Sequence, residues 1–146
     1  MTLPSLVLQA LLALCVTVGF GILFNIPQKT LLPCGLIGIL GHLTRFSLRS
    51  LGVSNELATF FGALVVGLIG YWVAKRMDQP RLVFTVTGII SMVPGINAYE
   101  TIIYLSHSDI LNALQSAVRA GLATAAIAVG LSTARVLTEF EVSFYS

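Results

Sequence analysis

Three ionisable side chains, His42, Arg45 and Glu100, fall inside apolar stretches of this sequence. A charge at the centre of a membrane helix costs about 2.5–3.5 kcal/mol on insertion scales, so such groups face protein, water or a substrate rather than lipid. His42 and Arg45 stand at i, i+3 spacing. That puts both on one helical face, as a cationic surface suited to a carboxylate substrate; the plain alternative is the basic, interfacial end of a short helix. Glu100 lies about five residues before the end of its segment, roughly 8 Å inside by helical rise. Its depth suits a proton- or ion-coupled carboxylate, and equally one that pairs with an arginine or reaches the headgroups.

One turn before Glu100, Pro94-Gly95 interrupts an apolar run that extends from Leu82 to Leu105. Proline removes a backbone donor and glycine relaxes the chain, and the freed amides and carbonyls must find partners away from lipid. With Asn97 and Tyr99 just beyond it, the interruption has the form of the broken helices of secondary transporters. There, half-helix N-termini present amides to anions near the midplane. A merely structural kink is the competing reading, since proline and glycine are common in membrane helices. Asn25, followed by Pro27, reads first as a turn and only then as a candidate for binding. Hydrolytic chemistry finds no support: Gly-x-Ser-x-Gly, His-Glu-x-x-His and the P-loop pattern do not occur, and no enzyme activity is expected. Cys15 and Cys34 lie alone among apolar residues, without metal spacing, and read as small buried hydrophobes. No metal or cofactor is expected.

The elements that must position these residues are membrane helices. Of 146 residues 56% are hydrophobic and 10% charged; with a mean hydropathy of +0.93, the chain has too few charges to clothe a soluble globule. The expected fold is all-α, a single polytopic transmembrane domain over residues 1–146 with about five spans, each needing about 20 apolar residues. The first, about Leu3–Phe24, ends at a turn through Pro27 and reads as a retained span rather than a signal peptide. The second, Leu31 to about Leu48, carries Pro33, Gly35, Gly38 and Gly41 and then His42, Arg45 and Arg49; it is short, and either crosses or re-enters, a crossing being favoured. The third is Leu57–Ala74, with small residues placed for close helix contact. The fourth is the interrupted Leu82–Leu105, and the fifth runs from about Leu114 to Leu137 with two stripes, Ala117-Gly121-Ala125 and Ala126-Gly130-Ala134. The tail from Glu139 reads as a short interfacial end.

Five spans gather Lys29, Lys75, Arg76, Arg81 and Arg135 at one face and leave Arg45, Arg49 and Arg119 near the other. The positive-inside rule then gives an outside N-terminus and a cytoplasmic C-terminus. Basic residues scattered at segment ends make no nucleic-acid face.

Three blocks in order, Phe24-Asn25-Ile26-Pro27, Gly41-His42-Leu43-Thr44-Arg45 and Pro94-Gly95-Ile96-Asn97-Ala98-Tyr99, resemble the threonine/serine exporter family, the likeness running from about residue 15 to 137. It is nearest to that family's short YjjB-type subunits. The resemblance implies secondary export of a small carboxylate metabolite, threonine, serine or succinate, across the bacterial cytoplasmic (inner) membrane. It also implies a larger partner subunit bearing a cytoplasmic domain and its own membrane helices. On that basis the matching positions Asn25, His42, Arg45, Pro94, Gly95, Asn97 and Tyr99 are substrate or coupling candidates; Glu100 is nominated from its depth alone. A non-transporting scaffold subunit and a self-sufficient homo-oligomeric efflux protein are the alternatives.

Overall fold

Helix ends in this chain are set by single residues that turn left-handed. In the computed structural model, which describes the backbone over residues 3–144 and side chains over 4–139, the elements are α1 (Leu3–Leu23), α2 (Gln28–Ser50), α3 (Asn55–Met77), α4 (Arg81–Ile89) with a 3-10 turn at Ile90–Met92, α5 (Gly95–Ser106) and α6 (Ile110–Phe144). After α1, Asn25 takes φ 54°, its N–H donating to Ile22 O (2.9 Å) and that of Ile26 to Gly21 O (3.1 Å). This Schellman closure satisfies carbonyls that a helix end otherwise leaves open. Gly52, Asp78 and Ser108 repeat it, and the following residues Val53, Gln79 and Asp109 donate back to Leu48, Ala74 and Tyr104. Pro27 and Pro80 then stand at the N-caps of α2 and α4. Ser54 caps α3 by accepting from Leu57 N–H, and an Asp109 carboxylate oxygen accepts from Asn112 N–H at the start of α6.

The second segment resolves as a full helix of 23 residues rather than a short or re-entrant one. It starts three residues earlier than the apolar pattern, at Gln28, so Pro33 falls one turn in, where its missing donor frees only a carbonyl near the helix start. α1, α2, α3 and α6 are each long and apolar enough to cross a bilayer, and α4 with α5, bent by 54° at the break, passes the same test only as a pair, which makes four spans, or five where the bent pair is one span rather than a re-entrant loop. The last helix exceeds the expected Leu114–Leu137: its 35 residues rise about 52 Å, against about 30 Å of hydrocarbon. It continues through the supposed interfacial tail to Phe144; residues 145 and 146 lie outside the described ones.

α3 is the hub, with α2, α4 and α6 against it. Small residues allow this: a Cβ on Gly62 would come within 2.8 Å of Gly41 O, and one on Gly130 within 2.6 Å of Phe60 O, so backbone meets backbone at both crossings. Ile37, Val66, Phe84, Met92 and Ile127 fill the space between. α1 lies on α2, and α5 lies on α6 without one fully buried residue of its own. Of the two small stripes on α6, the one through Gly130 and Ala134 is buried on α3, while Ala117, Gly121 and Ala125 are exposed. Cys34 is buried as expected; Cys15 is not, and looks outward. The outer surface is apolar, with Leu8, Leu36, Leu82 and Val129 among its exposed side chains, as lipid contact requires.

Candidate functional site

The break in the fourth span belongs to Pro94. Its ring excludes the helical conformation from the residue before it, and Val93 is extended at φ −58°, ψ 133°. Pro94 follows at φ −78°, ψ 54° and Gly95 N–H closes a tight turn onto Val93 O at 2.8 Å. Gly95 itself is not required by geometry: its φ is not positive, and a Cβ there would meet nothing within 4 Å. The expectation that glycine loosens the chain here is therefore corrected in favour of proline alone.

An opened helix must place its carbonyls. Arg45, on α2, does so for Met92: its Nη1 donates to Met92 O at 3.1 Å, while Nη2 donates to Asn55 Oδ1 at 3.1 Å. One planar guanidinium thus ties the end of α4 to the start of α3, a use to which its fork of donors is suited. One turn before it, His42 Nε2 lies 2.8 Å from Gln9 Oε1 on α1. Which of the two donates depends on the histidine tautomer and on the way the Gln9 amide is turned. Four elements meet at these two residues.

The pairing is incomplete. His42 Nδ1, Arg45 Nε and Ser91 Oγ are buried without a hydrogen-bond partner among the described residues, as is Thr17 Oγ1 further along α1, where it packs on Gly38. A buried polar group left open costs about 1–3 kcal/mol, and native structures hold few of them without a role. The place therefore holds an imidazole nitrogen, a charged donor and a hydroxyl beside a helix break. A guanidinium N–H and a hydroxyl are donors of the kind a carboxylate takes, and both are closed to solvent in this packing.

His42, Arg45 and Pro94 are brought together as expected. Asn25 is not: it lies at the other end of α2, about 21 Å from His42 by helical rise, where its left-handed conformation ends α1. Asn97, Tyr99 and Glu100 lie on α5, which packs on α6. Asn97 O accepts from Thr101 Oγ1, Tyr99 is 65% exposed, and Glu100 is half-buried with no ion pair among the described residues. Gln9, Asn55 and Ser91 join the site without having been singled out as candidates. Gln9 has a signal in the sequence, as a polar residue inside the first apolar segment, whereas Asn55 stands in the polar stretch Ser54-Asn55-Glu56 between two apolar segments and has none.

No solved structure matches the chain. The family model described as threonine/serine exporter, ThrE, matches residues 9–137, from Gln9 through the break and on to the last turns of α6. With nearly all of the bundle inside that match, the chain belongs to the threonine/serine exporter family.

Proposed function

We propose that this protein is the short membrane subunit of a two-component secondary exporter, moving a small carboxylate metabolite outward through the bacterial cytoplasmic membrane. The substrate is threonine, serine or succinate, and the coupling is to the proton gradient. A larger subunit with a cytoplasmic domain and membrane helices completes the path, since five spans alone enclose little volume. The outward face of α5 and the exposed Ala117-Gly121-Ala125 stripe, unoccupied by this chain's own helices, suit contact with that subunit's helices. The basic end holding Lys29, Lys75, Arg76, Arg81 and Arg135 faces the cytoplasm in this reading, with the N-terminus outside.

The observation that carries the proposal is the group of open polar atoms at the break: His42 Nδ1, Arg45 Nε and Ser91 Oγ, set where a span has lost its helical continuity. A carboxylate arriving there gains a charge-assisted hydrogen bond from Arg45 without displacing the bond to Met92. One observation favours the scaffold reading instead: two of the three guanidinium nitrogens are already engaged within the chain. Proteoliposomes holding this chain with and without the larger subunit, loaded with labelled threonine, serine or succinate under an imposed proton gradient, separate the two. Export that needs both subunits, with a photoreactive substrate analogue labelling this chain, supports the proposal. Labelling of the larger subunit alone supports a scaffold.

A further inference from the structure

Of the three basic residues around the turn from α3 to α4, only one is built into the fold. Lys75 and Arg76 are exposed in the last turn of α3. Arg81, the first residue of α4, is half-buried and held from two sides. Its guanidinium carbon stands 4.4 Å from the centroid of the Tyr71 ring, and Nη1 donates to Thr138 Oγ1 at 3.4 Å. Stacking of this kind orients a guanidinium while leaving most of its donors available. Its charge has no salt-bridge partner among the described residues. Glu139 is taken by Arg135, whose Nε donates to its Oε1 at 2.7 Å, and Asp78 is exposed at the turn and makes no ion pair among the described residues. Arg81 heads an open groove of about 510 Å³ between α3, α4 and α6, with Leu82, Thr85, Leu131 and Ser132 along its walls.

Charge and depth together select a ligand. Arg81 stands at the membrane edge, with the apolar turns of α4 below it, and the wall at Leu82 is itself 71% exposed, on the side that lipid chains meet. A soluble anion would leave those leucines uncovered, whereas a phosphate carrying hydrocarbon chains matches both parts of the groove. The single carboxylate in the lining is engaged by Arg135, so an ammonium or choline headgroup finds no counter-charge here. We infer that this groove binds an anionic phospholipid, its phosphate on the Arg81 guanidinium and an acyl chain along Leu82 and Leu131. Basic pockets between membrane helices hold such headgroups in general. Thr85 Oγ1 and Thr138 Oγ1 donate to Arg81 O at 3.1 Å and Arg135 O at 2.9 Å, which leaves their lone pairs to accept from headgroup hydroxyls such as those of phosphatidylglycerol. The site is independent of the exporter reading; only its place in the cytoplasmic leaflet rests on it.

Trp72, the single tryptophan, reports the site, its ring centroid 5.8 Å from that of Tyr71. The full chain is reconstituted in phosphatidylcholine vesicles containing graded fractions of phosphatidylglycerol or phosphatidylethanolamine, with brominated acyl chains on one lipid at a time, and quenching of Trp72 gives relative affinities. The expected result is a preference of about tenfold for phosphatidylglycerol over phosphatidylcholine, from one charge-assisted bond, with phosphatidylethanolamine close to phosphatidylcholine. Arg81→Gln removes that preference. Ser132→Phe, at an exposed position where folding is not at stake, fills the groove and removes it too. Diffuse attraction to anionic lipid acts on every basic residue alike; Arg76→Gln, exposed and outside the groove, keeps the preference. Equal quenching by all three lipids, a preference that survives Ser132→Phe, or one lost as fully in Arg76→Gln as in Arg81→Gln overturns the inference. So does phosphatidylethanolamine matching phosphatidylglycerol, or release of the quenching lipid by inorganic phosphate beyond that by chloride at equal ionic strength, which marks a site for a free anion.

Discussion

Replacing Arg45 with methionine tests whether the break is held by this side chain. The substitution keeps an unbranched apolar stem of similar reach and removes the guanidinium, leaving Met92 O and Asn55 Oδ1 without their donors at 3.1 Å. In membrane helices an interhelical hydrogen bond measures about 0.6 kcal/mol on average and about 1.7 at most, so two of them give about 1–3 kcal/mol. Arg49 is the control: it is exposed one turn further along the same helix, and its change to methionine stays within about 0.5 kcal/mol. Lysine at position 45 keeps the charge but not the fork and reaches one acceptor, for about half the loss. Reversible unfolding in mixed micelles gives the energies, and hydrogen exchange at residues 93–97 reports the break. The reasoning fails if Arg45→Met unfolds like Arg49→Met and leaves exchange at the break unaltered.

Pro94→Ala returns a backbone donor and straightens the 54° bend, whereas Gly95→Ala leaves it as it is; spin-label distances between α4 and α5 in the full chain distinguish them. Gly130→Val forces side-chain atoms into Phe60 O and Ala63, parting α3 from α6 at a cost of about 1–3 kcal/mol or more. Gly121→Val, which meets nothing within 4 Å, leaves the isolated chain folded and weakens co-purification with the larger subunit. Asn25→Gly is tolerated and Asn25→Val costs about 1 kcal/mol or more in thermal unfolding, with export per folded molecule the same in both, because the residue is a helix terminator.

Much of the bundle was legible because a membrane span is a length of apolar sequence, and the third segment is the clear case: Leu57–Ala74 sits inside α3 with only the polar turns added. The interruption at Pro94 was legible for the same reason, a donor missing where lipid supplies none. The last helix was underestimated because its start is fixed by Asp109 capping and the Ser108 turn rather than by hydropathy. The site divides in the same way. His42 and Arg45 stood out by charge, but the acceptors that fix their orientation did not. Gln9 is 33 residues from His42 and Met92 is 47 from Arg45; those pairings depend on helix register, with Gly38 against Thr17 between α2 and α1 and Gly41 against Met92, which spacing along one helix does not reveal. The contact between α4 and the end of α6 was hidden more fully, since Arg81 and Thr138, which meet there, are 57 residues apart.

Export per folded molecule by Pro94→Ala, set beside Gly95→Ala, addresses the central claim most directly, in proteoliposomes carrying both subunits. If the broken span and its open polar atoms form the substrate path, Pro94→Ala abolishes threonine, serine or succinate export while Gly95→Ala retains it. Export by Pro94→Ala equal to that of the unaltered protein would contradict the account.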